Sequence, residues 1–187
     1  WNMLVEALEQ DSALAGTFFA TVTSLSYGSA AMPISTYERL QLLLVRYQGA
    51  TRPMSTSLMS TEVAVGLSRY WPCEDQTVVG LPMPGARFKL LPVGDRFEIR
   101  VKGSGVTPGY VNDPDRTAEA FDEDGFFKMG DAVTFADPKR PEAGLRFAGR
   151  IAEQFKLVTG TWVSAGTLRA QLVAACAPFV RDVVICG

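Results

Sequence analysis

The chain has 187 residues, of which 47% are hydrophobic, enough to form the core of one domain or of one domain and part of another. Its net charge of -2 gives no reason to expect nucleic acid or an anionic membrane as a partner. The absence of histidine excludes a Ser-His-Asp or Cys-His mechanism within the chain, and three oddly spaced cysteines argue against a disulfide framework or a zinc site.

The first part of the chain has the pattern of short helices followed by a strand. Leu4, Leu8 and Leu14 are spaced in a way that predicts one or two short helices. Residues 21–27 are β-branched and alternate in polarity, which predicts a strand. Residues 28–33 then form a turn of small residues.

A helix and a second strand are predicted after this turn. Ser35 with Glu38 three residues later is a capping-box pattern, and Gly49 is placed to end the helix. A short strand near residues 52–55 completes a strand-helix-strand unit. Ligands bind at the carboxyl ends of the strands in such units, so we expect a site there.

The character of the sequence changes at residue 77 to short strands separated by Gly and Pro. Residues 87–90 and 97–102 alternate in polarity around the turn 93–95, which predicts a β-hairpin. Residues 165–177 are predicted to form a helix that is followed by a strand. The fold class is therefore α/β followed by a β-rich subdomain.

The two ends of the chain favour a cytoplasmic protein of which this sequence is a part. No segment approaches the roughly 18 apolar residues of a membrane span, and the opening sequence is not that of a signal peptide. The chain begins with Trp1 rather than Met, and residues 183–187 are an apolar run typical of a strand cut off within a domain. We therefore expect a fragment of a longer cytoplasmic protein.

A series of motifs in the second half resembles one superfamily. In chain order these are Gly-Tyr at 109–110, Thr-x-x-x-Phe at 117–121, Gly-Asp at 130–131, Gly-Arg at 149–150 and the run 155–160. Their succession resembles that of the adenylate-forming superfamily of acyl-CoA synthetases, luciferases and peptide-synthetase adenylation domains. Within it, residues 147–157 followed by 160–164 look most like feruloyl-CoA synthase.

The resemblance implies a domain organisation. Residues 1–149 would end the large N-terminal domain, with an α/β portion over 1–76 and a distorted β-barrel over 77–149. Residues 150–153 would be the interdomain hinge, and residues 154–187 would begin the small α+β C-terminal domain.

Asp131 and Arg150 are the candidate ribose-binding residues. A carboxylate beside a glycine can accept two hydrogen bonds from ribose hydroxyls, and charged acceptors make the stronger bonds. A planar guanidinium at the start of a second domain can close on the same sugar or on a phosphate. A Gly-Asp dipeptide alone is more often a surface turn, so the interpretation depends on the ordered set of motifs.

Residues 54–63 occupy the place where the family has a Gly-aromatic-Gly stretch that runs into Ser/Thr-Thr-Glu. The resemblance implies that Thr61 contacts a phosphate and that Glu62 holds Mg2+, with Ser60 beside them. Residues 57–59 replace the glycines and the aromatic, so adenine stacking is lost. The alternative is a capping loop before a helix that starts near Glu62.

The turn after the first strand resembles the family's Tyr-Ala-Gly-Ala-Ala-Leu-Pro turn. This likeness implies that Tyr27, Ser29, Ala30 and Ala31 bind substrate, because small side chains let adenine and the acyl group approach the backbone. An ordinary alanine-rich turn is the alternative.

Three more candidates follow the hinge. Lys156 lies on a predicted strand from which a long cation could reach a phosphate, or it is a solvated strand lysine. Gly160 and Trp162 resemble the loop that faces the pantetheine tunnel, or they form a hairpin turn with a core tryptophan.

The resemblance implies an AMP-forming ligase that activates an aromatic, hydroxycinnamate-like carboxylic acid with ATP and Mg2+ and transfers it to CoA. The family's phosphate loop would lie before Trp1 and its late catalytic lysine after Gly187, so we expect this chain alone to be inactive. A non-catalytic descendant that binds nucleotide or an acyl group is the alternative, and a purely structural β-rich domain is a third possibility.

Overall fold

The computed structural model describes residues 1–28, 32–156, 158–159, 162–176, 179–180 and 182–185. Its helices are α1 Asn2–Gln10, α2 Ser12–Thr21, α3 Ile34–Gln48, α4 Pro114–Ala120 and α5 Ala165–Ala175. Its strands are β1 Leu25–Tyr27, β2 Met54–Ser60, β3 Val63–Arg69, β4 Val78–Pro82, β5 Ala86–Val93, β6 Arg96–Gly103, β7 Phe127–Phe135, β8 Leu145–Arg150, β9 Gln154–Lys156 and β10 Trp162–Ser164.

The N-terminal part is the predicted strand-helix-strand unit preceded by two short helices. Asp11 separates α1 from α2, and its side chain accepts hydrogen bonds from the amides of Ala13 and Leu14, which caps α2. Gly49 ends α3 in the left-handed conformation, with a φ of 78°, as the sequence predicted. β1 then pairs in parallel with β2, with Leu25 opposite Met54.

Three details of this part differ from expectation. The strand predicted over residues 21–27 is confined to Leu25–Tyr27, because α2 continues to Thr21. α3 begins at Ile34 after Pro33 without a side-chain capping bond, so Ser35 lies inside the first turn and the capping-box prediction is wrong. Residues 54–63 are neither a loop nor the start of a helix. They form β2 and a tight turn into β3, in which Ser60 pairs with Val63.

Eight strands form one mixed sheet in the order β1-β2-β3-β4-β8-β7-β6-β5. The β5–β6 hairpin turns at residues 94–95 with Val93 opposite Arg96, which confirms the predicted hairpin. The segment after β6 returns to the start of β3, where Val106 bridges to Val63. The amide of Ala64 donates to the Gly105 carbonyl at 2.8 Å beside this bridge. These contacts close β3, β4, β8, β7 and β6 into a distorted barrel, and β3 joins that barrel upstream of residue 77.

The N-terminal part and the barrel each have a hydrophobic core. The first lies among α1, α2, α3, β1 and β2 and contains Val5, Leu8, Ala15, Phe19, Leu25, Met32, Leu40, Leu43, Leu44 and Met54. The second fills the barrel and contains Val63, Leu67, Val79, Ile99, Val101, Phe127, Met129, Val133 and Leu145. The strands that carry Tyr27, Asp131 and Arg150 are therefore held by packed side chains on their inner face.

The last part of the chain contains a two-stranded antiparallel sheet of β9 and β10, followed by α5. The predicted helix is confirmed. Of the strand predicted after it, residues 182–185 have no regular secondary structure, and residues 186–187 lie outside the described residues. Among the described residues, no helix is both long and apolar enough to cross a membrane.

Candidate active site

Asp131 and Arg150 lie opposite each other on paired strands. Asp131 is on β7, Arg150 ends β8, and the register places them as cross-strand partners. The Arg150 Nη1 lies 3.1 Å from the Asp131 Oδ1 and also donates to the Met129 carbonyl at 3.2 Å. The structure thus brings together the two residues that the motif series predicted to share one ligand.

A glycine precedes each of these two residues for a backbone reason. Gly130 has a φ of 72° and Gly149 a φ of 94°, a conformation that side chains with a Cβ rarely adopt. The register of β7 shifts on both sides of this point, as at a β-bulge. Bulges re-aim side chains, so the Gly-Asp and Gly-Arg pairs are what turns both charged groups toward each other.

The Asp131 carboxylate is buried and incompletely paired. The residue is only 3% exposed. Although Arg150 is close, the Oδ1 atom is not aligned for a hydrogen bond and has no such partner among the described residues. Burial raises the pKa of the Asp131 carboxyl, Arg150 opposes this shift, and Glu153 adds to it. The buried oxygen therefore has unused acceptor capacity.

Thr61 and Glu62 form the turn between β2 and β3. The Glu62 carbonyl accepts a hydrogen bond from the amide of Thr107 at 2.8 Å, and its Oε1 accepts one from the hydroxyl of Tyr110 at 3.0 Å. Hydrogen bonds from its own backbone amide and then from Tyr110 hold the pKa of the Glu62 carboxyl below its ordinary value. Ser60 precedes the turn. Its buried Oγ has no hydrogen-bond partner of good geometry in the described part of the chain, yet it lies near enough to Glu62 to help lower the pKa of that carboxyl.

The Tyr27 hydroxyl forms hydrogen bonds with two residues that were not predicted to lie near it. This hydroxyl donates to the Gln76 carbonyl at 2.7 Å and accepts from the Arg69 Nη2 at 2.9 Å. The residue also lines an open cavity of about 450 Å³ with Gly28, Met32, Pro33 and residues 1–3. Ser29, Ala30 and Ala31, the other predicted substrate-binding residues, lie outside the described residues.

Tyr27 and the Glu62 turn lie at the same edge of the sheet without touching. Tyr27 pairs with Thr56, and β2 runs on four residues further to Ser60, which at 3.3 Å per residue is about 13 Å. No hydrogen bond or ion pair between described residues connects Asp131 with Glu62.

The structure describes some of the candidate residues after the predicted hinge but not all of them. Lys156 ends β9 and is the cross-strand partner of Trp162, which begins β10, so the predicted strand at Lys156 is found. Gly160 lies outside the described residues. Between β8 and β9, Ala152 and Glu153 are exposed.

Two residues near Glu62 are not among the predicted site residues. Tyr110 is part of the Gly-Tyr motif, and no sequence pattern marks Arg116. Their signal is spatial, because the Tyr110 hydroxyl binds Glu62 across 48 positions of sequence and the Arg116 guanidinium lies 4.1 Å from the centre of the Tyr110 ring.

Comparisons with known proteins agree on the fold. No protein-family model matches the chain. Malformin synthetase mlfA of Aspergillus homomorphus is 34% identical over 137 residues, which are 64% of this chain and 2% of that protein. Long-chain-fatty-acid–CoA ligase 2 of Schizosaccharomyces pombe is 31% identical over 115 residues, which are 56% of this chain and 16% of that protein.

A solved structure extends the match over almost the whole chain. Malonyl-CoA ligase, in a ternary product complex with methylmalonyl-CoA and AMP, superposes with a TM-score of 0.61 at 31% identity over 98% of this chain and 38% of that one. The chain thus spans less than half the length of each of these three proteins. Its relatives and structural neighbours include AMP-forming acyl-CoA ligases and adenylation domains, and the chain has part of the adenylate-forming-enzyme fold.

Proposed function

We propose that the polypeptide carrying this chain is a cytoplasmic AMP-forming ligase that activates an aromatic, hydroxycinnamate-like carboxylic acid and transfers it to CoA. The observation that carries the proposal is the buried Asp131 Oδ1, which lies beside the half-exposed Arg150 guanidinium and has no hydrogen-bond partner among the described residues. Ribose hydroxyls would satisfy this oxygen, and Arg150 would contact the same sugar or a phosphate. The similarity to CoA ligases supports the reaction class.

The reaction has two balanced steps. A carboxylate oxygen of the acid attacks the α-phosphorus of ATP, the bond to the bridging oxygen breaks, and pyrophosphate leaves. The thiol of CoA then loses its proton to solvent and attacks the acyl carbon, which forms a thioester and releases AMP. Thr61 and Lys156 are proposed to contact phosphate oxygens, and Gly160 and Trp162 to line the path of the pantetheine. Tyr27, Ser29, Ala30 and Ala31 are proposed to border the acyl group.

Magnesium is proposed to arrive with ATP rather than to reside in the protein. In the described part of the chain, no group of three or more His, Cys, Asp or Glu side chains could hold a metal ion. A single carboxylate, that of Glu62, fits Mg2+, which binds one or two carboxylates and otherwise phosphate oxygens and water. The bound ion would offset negative charge on the phosphates as pyrophosphate leaves.

Residues 150–153 are proposed to be the hinge between the large domain, which would end at residue 149, and a small domain that begins at residue 154. Limited proteolysis with an endoproteinase specific for Glu should cut the full-length polypeptide early after Glu153, because this residue is exposed at the end of the segment. Bound ATP and acid should slow this cut. The cut after exposed Glu142 is the internal control, since it should not respond to ligand, and equal rates at Glu153 with and without ligand would contradict the hinge.

A non-catalytic descendant that binds nucleotide or an acyl group is the second candidate. One observation favours it: Leu58, at the place of the family's adenine-stacking residue, is partly buried against the barrel core. The next residue, Met59, is 48% exposed and offers no aromatic face. Adenine would therefore have to bind without a stacking partner from this strand.

The isolated 187-residue chain should bind ATP in the millimolar range or weaker. An aromatic stack contributes about 0.5 to 1.5 kcal/mol beyond burial, and the family's phosphate loop is not among these residues. A dissociation constant of about 1 mM corresponds to about -4 kcal/mol. Calorimetric titration with ATP, with and without Mg2+, measures it, and micromolar affinity would show that Thr61 and Glu62 are misassigned.

Pyrophosphate release by the full-length polypeptide tests the proposed function. A panel of hydroxycinnamates and fatty acids should give release that depends on ATP and is fastest with a hydroxycinnamate. Thioester formation on addition of CoA tests the acceptor. Release with fatty acids alone would correct the substrate class, and no release with any acid would favour the non-catalytic descendant.

A further inference from the structure

The Glu62 backbone is fixed although it lies in a tight turn. Its carbonyl accepts the Thr107 amide at 2.8 Å, and Thr107 follows the segment that closes the barrel onto β3. A turn anchored in this way presents its side chain in a restricted direction.

The carboxylate is held as well. Its Oε1 accepts the Tyr110 hydroxyl at 3.0 Å. Its own backbone amide and the Ser60 hydroxyl also act on the carboxyl and help to lower its pKa. Tyr110 is itself held, because its amide donates to the Thr117 Oγ1 at 2.9 Å. Thr117 lies on α4 and can approach because Gly109 has no side chain: a Cβ there would lie 2.5 Å from the Thr117 methyl carbon.

Arg116 lies over the face of the Tyr110 ring. Its guanidinium lies 4.1 Å from the centre of the Tyr110 ring, within the range of a cation–π contact. Among the described residues it forms no ion pair with a carboxylate, and it is exposed. Tyr110 is thus held both through its backbone amide and through the face of its ring.

We propose that Tyr110 is a positioning residue for Glu62, and that Arg116 holds Tyr110 in place. Tyr110 binds the Oε1 of Glu62 and so orients the carboxylate, whose Oε2 would bind the divalent cation that accompanies ATP. This inference rests on the proposed function of Glu62. Hydrogen-bond partners of ligating groups typically contribute about 10- to 100-fold to metal affinity or activity.

Binding of Mn2+ in place of Mg2+ tests the inference on the full-length polypeptide. Electron paramagnetic resonance measures Mn2+ affinity in the presence of α,β-methylene-ATP, without turnover. Tyr110→Phe, which removes only the hydroxyl, should weaken Mn2+ binding about 10-fold. Tyr70→Phe is the matched control, because Tyr70 is 77% exposed, and it should change nothing. Equal affinity of the Tyr110→Phe and Tyr70→Phe variants would overturn the inference.

Two further comparisons separate positioning from a general structural effect. In a Glu62→Gln background, Tyr110→Phe should cause no additional loss, and an equal loss there would overturn the inference. Arg116→Ala should weaken Mn2+ binding about 3-fold, because it removes an exposed cation–π contact. Arg87→Ala is the control and should leave Mn2+ binding unchanged.

The results that would overturn the proposed function differ from those that would overturn this inference alone. Wild-type polypeptide that neither binds Mn2+ with the nucleotide nor releases pyrophosphate would overturn that function and this inference with it. Wild-type activity that is lost in Glu62→Gln but retained in Tyr110→Phe would overturn the inference alone.

Discussion

Asp131→Ala is expected to raise the KM for ATP and to lower kcat/KM about 10- to 100-fold, the loss of one or two charged hydrogen bonds. The buried Asp131 Oδ1 is the acceptor that the proposed ribose contact would use, and its removal leaves Arg150 without its ion-pair partner. Steady-state kinetics of the full-length polypeptide with varied ATP measure the effect.

A second substitution separates binding from stability at the same position. Because burial raises the pKa of the Asp131 carboxyl, the charged form is disfavoured in the folded protein. Asp131→Asn should therefore lose ATP affinity without a lower Tm. Asp137→Ala is the matched control: Asp137 lies just beyond the same strand, and its carboxylate pairs with exposed Arg140 and accepts the Lys139 amide. Unchanged ATP kinetics in a folded Asp131→Ala variant would refute the ribose contact.

Two signals that depend on glycine turns were reliable. The β5–β6 hairpin follows from alternation around Gly94, which has a φ of 63°, and the end of α3 follows from Gly49. Both features depend on residues close together in the chain, where backbone preferences act directly.

Residues 54–63 show where local reasoning failed. Their Ser and Thr content suggested a loop or a cap. The segment nevertheless lies between two strands that supply backbone partners, and Met54 and Thr56 alternate inward as buried residues. Pairing by neighbouring strands thus outweighed local side-chain preference.

Contacts between distant strands were not predictable from the residues alone. The resemblance indicated that Asp131 and Arg150 share a ligand, but their pairing depends on the register of β7 and β8 and on a bulge. The bond between Tyr110 and Glu62 likewise arises only when the barrel closes.

Among the residues that the structure describes, Arg69 is the largest fully buried side chain, and no pattern in the sequence marked it. In the described part of the chain it has no carboxylate partner, and its guanidinium is instead surrounded by neutral acceptors. These are the carbonyls of Val78, Trp71 and Cys73, the Tyr27 hydroxyl and the Gln76 Oε1. The side chain therefore joins β1 to β3, β4 and the segment between those two strands, through bonds that all involve a charged donor.

Arg69→Ala is expected to lower the free energy of unfolding by about 3 to 5 kcal/mol, because it leaves buried acceptors unpaired and opens a cavity between β1 and β4. Urea denaturation of the 187-residue chain measures this loss. Arg69→Lys should recover only part of it, since one ammonium cannot reproduce the planar set of donors. Arg87→Ala, on the exposed face of β5, is the control and should stay within about 0.5 kcal/mol of the wild type. An Arg69→Ala variant as stable as this control would show that the buried guanidinium is dispensable, and that packing of the first core alone holds β1 and Tyr27 at the site.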